Sequence, residues 1–224
     1  MNEQEKLNKM KKIGKILRII SLITSILVLV LMILYLLMPA GNLYLAGSDS
    51  KYGREGGYNY YGWQLTIYGC GYPPVAILAM LENAALLAGD YIPTAHDFDT
   101  NMTLIVAVVL PLLVLMICGI AAGRMKNRGK AVCEWITSAV LIYSGLTIAN
   151  CVNLAIPMAT NSGTTPFKNT YLSPAVLAGT FTTCAFPIIV CAALILFAVI
   201  KTARGGFLIY QRSTARKLKT LNKK

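Results

Sequence analysis

One imidazole and two carboxylates stand close together in the sequence as His96, Asp97 and Asp99. Such side chains bind divalent cations, so they form a candidate metal site. The same acids come just before a long apolar run, where carboxylates cap the free N–H groups of a starting helix and suit its dipole. We therefore expect helix capping here, and the sequence predicts no bound metal and no cofactor.

Three further polar side chains lie in or beside long apolar runs, where ionisable and polar groups are costly and are therefore candidates for function. Glu134 follows Lys130 by four residues, which predicts an ion pair along one helix near its start. Asn150 and Asn153 share one helix face, so they either line a polar path or hydrogen-bond to a neighbouring helix. We favour the second interpretation, in which the amide groups join helices.

Six cysteines raise the question of redox chemistry. Membrane thiol oxidoreductases need closely paired cysteines, usually in a Cys-x-x-Cys motif, and the sequence has no such motif. Cys70 stands alone between the first two apolar runs, and we expect the others to be small buried thiols. A disulfide between Cys151 and Cys184 stays open. The sequence also lacks a His-Glu-x-x-His motif or a recognisable nucleophile with its base, so we expect no enzyme.

Four charge-free stretches of the chain hold or flank these residues, at 19–48, 100–123, 135–167 and 169–200. Each has at least the roughly 20 predominantly apolar residues that a helix needs to cross a bilayer. The chain is 56% hydrophobic and 13% charged, against about 25% charged residues in a soluble domain. These features predict an all-α membrane protein, a four-transmembrane-helix bundle that forms a single membrane domain. The expected helices are 16–38, 102–122, 131–157 and 175–200, and the remaining segments are 1–15, 39–101, 123–130, 158–174 and 201–224.

The distribution of positive charge gives this bundle an orientation. Eighteen of the 21 Lys and Arg lie before the first stretch, between the second and third, or after the fourth. These segments fall on one side of a four-helix bundle, which the positive-inside rule places in the cytoplasm. We expect a multi-pass cell-membrane protein with both termini cytoplasmic, whose basic tails contact anionic lipid rather than nucleic acid.

Two other interpretations of the apolar stretches compete with this topology. A cleaved signal peptide has an apolar region of about 7 to 15 residues, shorter than the run at 16–38. A fifth span at 75–92 would turn the basic C-terminal tail outward, against the charge bias. We interpret 75–92 as a short interfacial helix within the extracytoplasmic loop.

The loop at 39–101 also carries a strand-like alternation and a group of aromatic residues. Trp63, Leu65 and Ile67 alternate with polar residues, which predicts a half-buried strand that pairs with 43–45 in a small β-sheet. Aromatic side chains bury large areas at low entropic cost, so this group is either a contact surface for a partner or a belt at the membrane edge. The candidates are Tyr58, Tyr60, Tyr61 and Trp63.

Small residues and prolines predict how the helices pack. Gly119 and Gly123 have the four-residue spacing that lets two helix backbones approach closely. Pro111 and Pro187 interrupt the second and fourth stretches, which predicts kinks.

The segment 61–69, Tyr-Gly-Trp-Gln-Leu-Thr-Ile-Tyr-Gly, resembles a motif of uncharacterised four-span membrane proteins of Gram-positive bacteria, in which it follows the first span. That resemblance implies the four-span fold and no activity. The layout is also similar to that of claudins, by analogy alone, in its four helices, cytoplasmic termini and long first loop. The loop here has one cysteine, Cys70, after Trp63, where the claudin signature has two.

These observations favour a non-enzymatic structural or interaction protein that acts through its outer loop, with a membrane-protein partner or as a homo-oligomer. The alternative is a small-solute channel or transporter subunit that uses Asn150, Asn153 and a helix kinked at Pro187. The scarcity of polar residues within the stretches favours the first interpretation.

Overall fold

A computed structural model describes residues 3–45, 56–67, 102–154 and 180–221 of the chain. Four long helices dominate these residues. They are α1 (Glu3–Leu37), α3 (Met102–Arg124), α4 (Asn127–Ala149) and α5 (Ala185–Leu221). All four are long and apolar enough to cross a membrane, as the sequence predicted. Many of their large apolar side chains are exposed, and the exposed fraction reaches 69% for Met102.

A three-stranded antiparallel sheet accompanies the helices. It contains β1 (Pro39–Leu45), β2 (Gly56–Tyr61) and β3 (Thr180–Thr183), in the order β2-β1-β3. Leu43 of β1 is paired with Tyr58 on one side and with Phe181 on the other. The small sheet expected from the sequence therefore exists, and 43–45 belongs to its central strand.

The strand predicted around Trp63 is wrong, because this segment is the short helix α2 (Gly62–Ile67). Gln64 Oε1 accepts a hydrogen bond from the Tyr61 N–H at 3.0 Å, and Thr66 Oγ1 donates to the Gly62 carbonyl at 2.7 Å. These local side-chain bonds hold a helical turn. A two-residue alternation over only five residues does not distinguish a strand from a turn of helix.

The fourth long helix begins later than the sequence predicted. Residues 180–183 form β3, and α5 starts at Ala185 rather than at 175. Pro187 is therefore in the first turn of α5, where a missing N–H leaves no helical hydrogen bond unmade. A proline in the first turn does not kink a helix, so the predicted kink at Pro187 is wrong. Pro111, by contrast, lies inside α3.

The two terminal helices continue well past their apolar stretches. α1 has 35 residues and α5 has 37, so each is about 50–55 Å long at about 1.5 Å per residue. Gly14 of α1 faces Phe207 and Gln211 of α5, and a Cβ placed on Gly14 would lie only 3.3 Å from Phe207 Cε1. Residues 201–221 of the expected basic tail therefore belong to α5.

The predicted close approach at Gly119 and Gly123 is wrong for the part of the chain that the structure describes. A Cβ placed on either glycine would meet nothing within 4 Å. Glycines that do lie against neighbours are on other elements, and they include Gly41, Gly62 and Gly205. Four-residue spacing alone does not say which face of a helix is buried.

The chain divides into two compact units. The first contains Met1–Leu31, Val109–Gly145 and Ala192–Lys224, and the second contains Met32–Val108 and Leu146–Cys191. Leu141 and Leu194 are fully buried in the first unit. Tyr35, Tyr60 and Leu65 are fully buried in the second.

Candidate functional site

Five polar side chains from three helices meet in the interior of the first unit, and we name them the ionic cluster. Within α1 and within α5 the members are three or four residues apart, so they project from one helix face. Later residues of α1 contact earlier residues of α5, so these two helices are antiparallel. The same holds for α4 and α5. The members are Ser21 and Ser25 of α1, Glu134 of α4, and Lys201 and Arg204 of α5.

The ammonium group of Lys201 is enclosed by the two serines of α1. Nζ donates to the Ser21 carbonyl at 3.0 Å, to Ser21 Oγ at 2.8 Å and to Ser25 Oγ at 2.8 Å. An ammonium group has three N–H donors, so all three are used. These oxygens replace the water that the buried cation loses, and only 4% of Lys201 is exposed.

The carboxylate of Glu134 joins the two cations of α5. Oε1 lies 2.7 Å from Arg204 Nη1, and Oε2 lies 3.7 Å from Lys201 Nζ. Ser21 Oγ also donates to Oε2, at 3.3 Å. Glu134 is the last acidic residue in the sequence, so α5 contains no acid that could pair with its own Lys and Arg residues.

The predicted ion pair of Glu134 with Lys130 is wrong for the described residues. Among the residues that the structure describes, the ion pairs of Glu134 are with Lys201 and Arg204. Lys130 is only partly buried and can keep water around its ammonium group, whereas Lys201 is buried and needs a counter-charge. A single acid therefore pairs with the cations whose desolvation is most costly.

Hydroxyl contacts extend the α4–α5 packing beyond Glu134. Ser138 Oγ donates to the Ala198 carbonyl at 2.9 Å and lies 2.8 Å from Thr202 Oγ1. About one turn from Glu134 on the other side, the Ala131 carbonyl oxygen would lie 3.2 Å from a Cβ on Gly205, which also faces the indole of Trp135. The ionic cluster therefore lies between two further contacts of α4 with α5.

The saturation of these groups limits what the ionic cluster can do chemically. The Lys201 donors are all used, and both oxygens of Glu134 face cations. With Glu134, Lys201 and Arg204 ionised, the cluster carries a net charge of +1. These contacts join α1, α4 and α5. None of the five side chains is available as a general base or a nucleophile.

A second group of buried polar residues lies in the second unit, in the region we name the loop base, which comprises β1, β2, β3 and α2. The Tyr35 hydroxyl, from the last turn of α1, lies beside the side chains of Thr66 and Cys151. Gln64 is fully buried and accepts the Tyr61 N–H through Oε1. The Gly62 N–H donates to the Met38 carbonyl at 3.1 Å, which attaches α2 to the end of α1.

The four aromatic contact candidates have different environments in the loop base. Tyr60 is fully buried, so it belongs to the core and offers no surface to a partner. Tyr61 is 36% exposed and Trp63 is half-buried. Successive strand residues point to opposite faces, which explains why Tyr60 and Tyr61 differ. The side chain of Tyr58 lies outside the described residues, and Ile67, with 40% exposed, adds to the open surface.

The two asparagines lie just past the end of α4 rather than within a helix interface. Both side chains are exposed, and Asn150 Nδ2 donates to the carbonyl of Leu146, at 2.8 Å. Asn150 therefore satisfies the end of its own helix instead of joining a neighbour. His96, Asp97, Asp99 and Cys70 lie outside the described residues. Within the described ranges, no group of three His, Cys, Asp or Glu could hold a metal ion.

Four members of the ionic cluster are not evident as candidates from the sequence. Lys201 and Arg204 belong to the basic residues that set the topology, and Ser21 and Ser25 lie within an aliphatic run. The four-residue spacing of the two serines is the available signal, since hydroxyls on one helix face are suited to solvate a buried cation.

Comparison with protein-family models, with curated proteins and with solved structures finds no match to this chain.

Proposed function

We propose that this chain is a multi-pass cell-membrane protein with cytoplasmic termini, and that it works as a non-enzymatic interaction protein through its extracytoplasmic loop. The structure of the loop base supports this proposal. β1 follows α1 after a single residue, and β3 precedes α5 by a single residue, so hydrogen-bonded strands attach the loop to two long helices. A loop held in this way presents side chains in fixed positions, which reduces the entropic cost of binding.

The surface available for a partner is the exposed side of the loop base. Tyr61 and Ile67 are 36% and 40% exposed, and Trp63 lies between them in the chain. Tyrosine and tryptophan are enriched among the residues that dominate binding energy at protein interfaces. A membrane protein partner, or a second copy of this chain, is the class of ligand that such a surface fits.

The polar contacts in the described helices favour this function over the alternative of a small-solute channel or transporter subunit. A permeation path needs polar groups that face an open cavity. Lys201 and Glu134 are instead used within the ionic cluster, and Asn150 bonds to its own helix. Pro187 supplies no break in α5, because it lies in the first turn.

The basic ends of α1 and α5 supply the second kind of contact in this proposal, with anionic lipid of the inner leaflet. Arg212 lies near Arg216 of the same helix and near Arg128 of α4. Each Lys or Arg close to an anionic membrane surface contributes about 1 kcal/mol. These charges would fix the orientation of the bundle and leave the loop for specific recognition.

Crosslinking in the native membrane followed by affinity purification tests the loop proposal. The informative variant is Tyr61→Ala, and the matched control is Tyr210→Ala, an exposed tyrosine of α5 with 52% of its surface open. A partner captured by wild type and by Tyr210→Ala, but lost from Tyr61→Ala, supports the proposal. Equal capture by all three proteins argues against a loop surface. Tyr60 is avoided, because a change there would disturb the core.

A further inference from the structure

Two cysteines from different elements converge on one backbone carbonyl in the loop base. Cys151 Sγ donates weakly to the Ala40 oxygen at 3.9 Å, and the backbone N–H of Cys184 donates to the same oxygen at 3.0 Å. Cys151 lies just past the end of α4, and Cys184 is the single residue between β3 and α5. Both are free thiols in this structure. The Ala40 carbonyl therefore brings Cys151 and Cys184 together, and the two thiols are close enough to interact electrostatically.

The two thiols differ in their access to solvent. Cys151 is fully buried, whereas Cys184 is partly exposed. An oxidant can reach Cys184 first, and Cys151 is then placed to resolve the mixed disulfide from within the protein. Exchange begins when an accessible thiolate attacks an external disulfide, and Cys184 is the more accessible of the two thiols.

A second pair of neighbouring thiols provides an internal comparison. Cys118 of α3 and Cys133 of α4 also lie beside each other, within the first unit. By the proposed topology, Cys133 is near the cytoplasmic start of α4 and Cys151 is near the extracytoplasmic end. Disulfides persist outside the cell and are rare in the cytoplasm, so only the second pair is in an oxidising compartment.

We propose that Cys151 and Cys184 form a disulfide that closes the loop base between α4 and the start of α5. Two S–H bonds break and one S–S bond forms. The two protons pass to solvent or to the thiolates released, and the two electrons reduce the disulfide of an external thiol–disulfide oxidant to two thiols. This inference rests on the proposed function, because it requires the loop base to face outside.

The number of free thiols in the full-length protein tests the proposal directly. Cells are quenched in acid, the protein is denatured, and thiols are counted by the mass added with a maleimide-polyethylene glycol reagent, with and without prior reduction. Wild type has six cysteines. We expect four to react before reduction and six after it.

Single substitutions assign the bond. Cys151→Ser and Cys184→Ser should each leave five cysteines that all react before reduction, whereas the control Cys133→Ser should leave three that react. Peptide mass spectrometry of unreduced wild type should find the peptides of Cys151 and Cys184 joined, which requires no variant to fold. Six reactive thiols in wild type, or a disulfide that includes Cys70 instead, would overturn the proposal.

A separate measurement distinguishes this failure from failure of the proposed function. With all six native cysteines replaced by Ala, Tyr61→Cys is labelled from outside intact cells and reports the orientation of the loop base. Six free thiols together with outside labelling at this position reject the disulfide alone. Six free thiols with labelling only after permeabilisation reject the disulfide and the orientation on which it depends.

Discussion

The two units of this protein are stabilised by different kinds of polar contact. In the first unit, side chains from three helices surround a buried lysine, and the contacts depend on residue identity at Ser21, Glu134 and Lys201. In the second, the polar contacts are mostly backbone hydrogen bonds of a sheet, with glycines at the close approaches. Long helices of one chain are therefore stabilised by charge in one region and by steric fit in another.

The largest expected effect is the loss of the acid in the ionic cluster. Glu134→Gln leaves the buried Lys201 and Arg204 without a counter-charge. Removing one partner of a buried ion pair costs about 3–5 kcal/mol, so thermal unfolding of the purified protein should move to a clearly lower midpoint. Glu5→Gln is the control, because Glu5 is exposed.

Adding Lys201→Met to Glu134→Gln sharpens this test. If the two side chains act as a pair, the double variant should be less destabilised than the sum of the two single variants. If the two losses of stability simply add, Glu134 and Lys201 contribute independently, which would contradict their pairing in the ionic cluster.

The second unit is most sensitive at Gly62. A Cβ on this residue would come within 2.8 Å of the Tyr35 carbonyl carbon and 3.2 Å of Leu36 Cα, both of which are backbone atoms. Gly62→Ala should therefore destabilise the loop base by about 1–3 kcal/mol, as overpacking does in well-packed interiors. Gly119→Ala is the control, because nothing lies within 4 Å of its Cβ position. Hydrogen exchange of 56–67 would report the change, and equal protection in both variants would contradict the steric account.

Two adjacent glycines in α5 allow a finer test within the first unit. A Cβ on Gly205 would meet Trp135 Nε1 at 2.5 Å and the Ala131 carbonyl oxygen at 3.2 Å, whereas a Cβ on Gly206 would meet nothing within 4 Å. Gly205→Ala should cost about 1–3 kcal/mol. Gly206→Ala should be neutral, or stabilising by up to about 1 kcal/mol through helix propensity. The thermal midpoints of the two variants should separate, and Trp135→Leu should partly rescue Gly205→Ala.

The smallest expected effect compares two serines of α4. Ser138 Oγ bonds to the Ala198 carbonyl and to Thr202, so Ser138→Ala should cost about 1 kcal/mol. Ser144 Oγ is buried without a hydrogen-bond partner among the described residues, so Ser144→Ala should be neutral or slightly stabilising. Urea-unfolding midpoints in matched detergent would check this order. A larger loss at Ser144 would show that its hydroxyl has a role in the fold.

The predictability of this fold differs between its helices and its loop base. Runs of apolar residues predict the helices, and the expected 102–122 lies within α3 (Met102–Arg124). The error at Trp63 is local, because five alternating residues also fit a turn of helix. The late start of α5 has a distant cause, because β3 pairs with β1, about 140 residues earlier in the sequence. Local patterns contain no information on such a partner.

The candidate site shows the same limit. The position of Glu134 beside an apolar run identifies it as a candidate, yet its partners Lys201 and Arg204 are about 70 residues later and depend on how α5 packs on α4. The interpretation of Tyr60 as a contact residue is wrong because exposure depends on which face of β2 is covered. Residue type indicates which groups could matter, and packing decides which of them meet.

The most direct test determines on which side of the membrane each end of the bundle lies. With the six native cysteines replaced by Ala, single cysteines are introduced by Tyr61→Cys in the loop base and by Ser213→Cys on an exposed position of α5. A membrane-impermeant maleimide is then applied to intact and to permeabilised cells. We expect Tyr61→Cys to react in intact cells and Ser213→Cys to react only after permeabilisation. The reverse pattern, or reaction of both in intact cells, would contradict the proposed topology.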